Sequence, residues 1–126
     1  MINDTVDILD AKVVNIQIEY VAIADTNANK WQLLQSANTR LKNRYALKMD
    51  IGEPFSIDEV YRILNQTPGI MDVTNVRVKN KFDTGYSSIS YNIRENTSPD
   101  GRTVSVPKNV ILEVKYLNTD IIGTLK

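Results

Sequence analysis

Residues 52–69 read Gly-Glu-Pro-Phe-Ser-Ile-Asp-Glu-Val-Tyr-Arg-Ile-Leu-Asn-Gln-Thr-Pro-Gly, the clearest local instruction in the chain. Ser56-Ile57-Asp58-Glu59 has the form of a capping box: the Ser56 hydroxyl accepts from the Glu59 backbone N–H, and the Glu59 carboxylate reaches back to the Ser56 N–H. Phe55 and Val60 occupy the staple positions on either side, and Asp58 and Glu59 place negative charge at the positive end of the helix dipole. A helix is expected to start here, with Ile57, Val60, Ile63 and Leu64 as its buried stripe. Gly52-Glu53-Pro54 breaks the chain before it, and Thr67-Pro68-Gly69 stops it, because Pro68 pushes Thr67 toward an extended conformation.

Upstream, residues 13–25 alternate: Val14, Ile16, Ile18, Tyr20, Ala22 and Ala24 share one face, opposite Asn15, Gln17 and Glu19. Val21 and Ile23 spoil that polar face near the end of the strand, which predicts a cover there, from this chain or a neighbour. Residues 30–48 hold no Gly or Pro and place Trp31, Leu34, Leu41 and Tyr45 on one stripe, predicting an amphipathic helix. Downstream, Met71, Val73, Val76 and Val78 predict a strand whose apolar register switches near Asn75, the mark of a bulge. Further strands are expected over residues 87–94, 103–106 and 110–116, with turns at residues 80–85 and at Ser98-Pro99-Asp100-Gly101. The order predicts a single α+β domain over residues 1–126, with two helices on one face of a mainly antiparallel sheet. A ferredoxin-like form with a βααβ crossover is one version, in which the first strand and the strand after the helices run parallel, with the last strand antiparallel beside them.

Composition narrows the chemistry. With no Cys and no His, thiolate catalysis, disulfides, His-based triads and zinc fingers are excluded. Fifteen basic and fifteen acidic residues cancel, which argues against a broad nucleic-acid or anionic-membrane footprint. No run of about eighteen apolar residues exists, and Met1 is followed by polar and acidic residues, so a soluble chain is expected. Asp25-Thr26-Asn27-Ala28-Asn29 opens like an EF-hand loop but has Lys30 at the glycine position and Ser36 at the bidentate glutamate position, so helix capping is the better reading. Asp50, Glu53 and Asp58 surround the helix break and read as solvated charges; Ser87 and Ser88 have no activating base. Arg77, Lys79 and Lys81 alternate on a strand, but the base-stacking aromatics of an RNA-binding sheet are missing from residues 75–81. The glycosylation triplets at Asn3, Asn65 and Asn96 read as chance. The expectation is no enzyme, no cofactor and no metal site.

Residues 51–61, continued by 64–78, resemble the C-terminal region of the baseplate wedge proteins of contractile-tailed phages, the baseplate J-like family. Residues 91–102 and 110–116 are similar to the version in large phages with complex baseplates, so the likeness runs from about Asp7 to the end. The motif is a series of G-E-P, helix, P-G-I, D-V and V-x-V, a fold signature without catalytic residues. The resemblance implies a structural role in a virion tail baseplate, in a protein made in the host cytoplasm. It implies as partners the chain itself and other wedge proteins, with no membrane and no nucleic acid. Family members are usually longer, so the chain would correspond to a C-terminal domain of a longer wedge protein. The alternative is a small nucleic-acid or ligand-binding module on a ferredoxin-like sheet.

Interface positions are expected where apolar groups exceed what one small core needs: Val21 and Ile23 on the outer face of the first strand, and Ile121, Ile122 and Leu125 in the tail. Such a tail is expected to add a strand to a neighbouring sheet, or else to pack within its own domain.

Overall fold

A computed structural model describes residues 12–46, 49–83 and 85–126. The elements are β1 (Lys12–Ala24), α1 (Lys30–Tyr45), β2 (Phe55–Ser56), α2 (Ile57–Asn65), β3 (Ile70–Lys81), β4 (Thr103–Val104), β5 (Val110–Glu113) and β6 (Ile121–Leu125). This is the expected α+β fold, two helices with a mainly antiparallel sheet. The sequon at Asn3 and the expected end of the first helix at Lys48 lie outside the described residues.

β1 is the central strand. β3 pairs antiparallel along one edge, from Asn15↔Lys81 to Ala24↔Ile70. β5 and then β6 line the other edge, both parallel to β1, at Lys12–Asn15 and Ile18–Ala22 respectively. The expected directions are therefore reversed: the strand after the helices runs antiparallel to β1, and the last strands, expected antiparallel, run parallel to it. α1 starts beside the end of β1, where Leu33 and Ala28 touch Gly69, and the chain returns to the start of β1, where Gly52 N–H donates to Val110 O. α2 carries it back again, and Asp25 N–H donates to Gly69 O as β3 begins. One helix would reverse the chain once and give parallel strands; two helices reverse it twice, so β3 enters beside the end of β1 and runs against it. Both helices fall within this single connection, whereas a ferredoxin-like β-α-β-β-α-β order separates them.

The even-numbered residues of β1 from Val14 to Ala24 form the buried floor of the core, and Leu33, Ala37, Leu41 and Tyr45 of α1 close over it. Of the expected stripe, Leu41 and Tyr45 are buried and Leu34 packs partly against the core, Leu33 is buried beside them, and Trp31, in the first turn, stands 67% exposed. Asn29 caps α1, accepting from the N–H groups of Trp31 and Gln32, which settles the role of the polar run before it. In α2, Ile57, Val60 and Leu64 are buried as expected, Ile63 partly, and Phe55 and Val60 are fully enclosed at the staple positions. The bulge expected near Asn75 is present: Val21 pairs with Asn75 and Ala22 with Val73, leaving Thr74 as the extra residue. Gly69 and Gly101 take the positive φ their turns require.

The capping box is only half formed. Ser56 Oγ accepts from Glu59 N–H at 3.2 Å, but Ser56 also belongs to the β2–β4 ladder, and the Glu59 carboxylate turns instead to Arg44 of α1 at 2.7 Å and Arg62 at 3.3 Å. The cap residue thereby ties the two helices together. Residues 87–94 are not a strand, although Ile93 is buried and Ile89 and Tyr91 pack on the core. Both edges of β1 are already taken, so side chains satisfy this segment's backbone: Ser87 N–H donates to Asn15 Oδ1, Ile89 N–H to Ser87 Oγ and Tyr91 N–H to Asn80 Oδ1.

Candidate functional site

The face of the sheet away from the helices carries the odd-numbered residues of β1, and its two halves differ. Over the first half lies the segment around Tyr86 and Ser87. Asn15 and Gln17, expected on a solvated face, are buried there. Asn15 Nδ2 donates to Glu113 Oε1 at 2.9 Å, and Asp120 Oδ1 accepts from Tyr86 Oη at 3.0 Å and from Gln17 Nε2 at 3.4 Å. Burial, and then the bond to Asp120, holds the Tyr86 phenol above its ordinary range. Asp120 is fully buried, and its Oδ2 has no hydrogen-bond partner among the described residues. Two carboxylates, Glu113 and Asp120, held by neutral amides and a phenol make a structural anchor; among the described residues no three acidic groups gather as a metal site.

The second half is open. Glu19 is opposite Ile122, and Val21 is opposite Thr124, so these side chains share the outer face; Ile23 lies beyond them, opposite Asp72. Ile23 and Ile122 are 40% and 41% exposed, and Val21, on β1 with Ile23, is half-buried. The five expected interface positions therefore divide. Val21, Ile23 and Ile122 share the outer face, spread along the strands with Glu19 and Thr124 among them, whereas Ile121 and Leu125, opposite Ile18 and Ala22, face the helices, Ile121 in the core and Leu125 against it. The reason is strand geometry: neighbouring residues on a strand point to opposite faces. Of the two expectations for the tail, packing within its own domain is the one observed, because β6 completes this chain's own sheet. Gly123, opposite Tyr20, leaves the space that the Tyr20 ring fills, and Tyr20 Oη donates to Asn38 Oδ1 at 2.6 Å.

The basic row on β3 is partly neutralised. Lys79 Nζ lies 2.6 Å from Glu19 Oε1, and Lys81 sits over the Tyr86 ring, while Arg77 has no ion pair among the described residues. The acidic residues near the helix break do not converge: Glu53 accepts from the Asp50 N–H, and Asp58 faces Arg102 at 3.8 Å. Ser87 Oγ serves as a turn acceptor. No helix among the described residues is long and apolar enough to cross a membrane. Compared with models of known protein families and with curated proteins, the sequence matches none.

Proposed function

We propose that this chain is a non-catalytic assembly module of a phage tail baseplate, working through contacts with itself and with neighbouring wedge subunits. The observation that carries the reading is the uncovered strip of Val21, Ile23 and Ile122, apolar groups held rigidly on two paired strands and left in water. The resemblance of residues 51–78, 91–102 and 110–116 to wedge proteins supports the same role, and the matched residues have plain structural jobs here: Ser56 caps, Phe55 and Val60 pack, and Gly69 turns the chain into β3.

The test is sedimentation velocity on the wild type and on Ile23→Asp and Ile122→Asp. The wild type should associate with rising concentration, and each variant should stay monomeric with an unchanged melting curve. A wild type that is monomeric at about 100 μM, where a contact worth about 5.5 kcal/mol is half-formed, would refute the strip as a self-association interface. Sheath, tube or other baseplate genes beside this one support the baseplate assignment, and a metabolic operon counts against it.

A further inference from the structure

The second long edge of the sheet is unpaired. β1 covers one side of β3, and no described strand covers the other, nor does any backbone hydrogen bond reach it from elsewhere among the described residues. On an antiparallel edge strand, alternate residues direct their N–H and C=O outward. Along residues 75–79 this edge does not face open solvent. It forms one wall of a groove of about 590 Å³ that is lined also by Ile57 and Tyr61 of α2 and by Ile93, Arg94, Thr97, Asp100 and Gly101, with the Asp100 carboxylate already accepting from Ser98 Oγ and the Arg102 N–H.

The two sides of the edge differ in chemistry. Val76 and Val78 point toward the helix layer, the side of Ile57 and Ile93, where the groove wall is part apolar and part polar. Asn75, Arg77 and Lys79 share the outer face with Val21 and Glu19, and Arg94 is exposed at the rim. Arg77 and Arg94 have no ion pair among the described residues. A strand added here would have every second side chain against the groove and the others opposite Asn75, Arg77 and Lys79. Cross-strand pairs of opposite charge are favourable and like charges directly opposite are not.

We infer that the groove beside β3 binds an extended segment of a partner protein in which acidic and apolar residues alternate, taken up as an additional β-strand. Backbone hydrogen bonds to residues 75–79 supply the attachment, the apolar part of the groove beside Val76 and Val78 sets the spacing, and Arg77 and Arg94, which outnumber the one acidic group Asp100, select for carboxylates. The inference rests on the groove and not on the apolar strip, so the two readings fail separately.

The probe is a fluorescent N-acetylated octapeptide, (Asp-Val)4, titrated against the full chain by anisotropy, beside (Lys-Val)4 and an (Asp-Val)4 N-methylated along one edge. Saturable binding of (Asp-Val)4 is expected. Losses of at least about tenfold are expected for the basic peptide, for the N-methylated peptide and for the Arg77→Glu protein, with Arg77→Lys close to wild type. Ile122→Asp, which alters the strip, should bind as the wild type does. No saturation at millimolar peptide, or equal binding of the N-methylated form, overturns the inference. So does an Arg77→Glu protein that binds normally but changes its own sedimentation, since a second copy would then occupy the edge.

Discussion

Replacing Gly123 by Ala tests the core at its tightest point. A Cβ there would lie 2.2 Å from Tyr20 Cζ and 2.3 Å from Oη, distances no relaxation of a methyl group can absorb. Only the ring can move. Tyr20 is 2% exposed and its hydroxyl is bonded to Asn38, so displacement loses a net hydrogen bond of about 1 kcal/mol and part of the 1.5–3 kcal/mol, roughly, that burying a large side chain contributes. The substitution should cost about 2–4 kcal/mol, the upper range of overpacking. The sign is informative, because Ala in an unstrained strand is favoured over Gly by roughly 0.5–1 kcal/mol and the Gly123 backbone is not in the left-handed region. Urea unfolding should show a lower midpoint at unchanged slope. In a Tyr20→Val background the added methyl should cost less than about 1 kcal/mol or stabilise. A small effect in the wild-type background, or equal effects in both, would refute the claim that Tyr20 and Gly123 fill one space.

Two further perturbations follow from the same packing. The hydrogen bond from Arg44, and then the neighbouring charges, hold the Glu59 carboxyl below its ordinary value of 4.5. Because the folded value is depressed, the stabilisation is complete above that ordinary value and is lost as the pH falls through the folded one; Glu59→Gln should flatten stability against pH in that acid window, by no more than about 1 kcal/mol for so exposed a pair. An unchanged acid limb on urea melts would count against the inter-helix tie. Removing residues 118–126 takes away β6, Ile121 and the Asp120 anchor, so far-UV circular dichroism should show loss of cooperative melting. A truncated chain that melts like the wild type would return the tail to the role of an external arm.

What was legible in the sequence is what local chemistry determines. The start and stop of α2, the Asn29 cap, the bulge in β3 and the turn at Gly101 each follow from a few adjacent residues, and so does the apolar excess at Val21 and Ile23. The misreadings concern who pairs with β1. Residues 87–94 alternate like a strand, yet no free edge of β1 remained for them, and the tail looked surplus because its partner, residues 18–22, lies about a hundred positions upstream. Glu59 was read as a cap partner, since nothing local shows that Arg44 would arrive beside it. The peptide groove was illegible for the same reason, because its walls come from α2, β3 and residues 93–101.

The edge formed by β5 and β6 behaves as a single ladder with slack in it. Between the rungs Asn15↔Glu113 and Ile18↔Ile121, β1 advances three residues while its neighbour advances eight, so five residues are spent on a detour that Asp120 pins at its far end. Within that detour Val114 is buried, Leu117 packs against the core and Tyr116 Oη donates to Gly85 O, which leaves the exposed turn at Asn118 and Thr119 as the place where this sheet can absorb an insertion, a label or a grafted epitope while every strand keeps its partner.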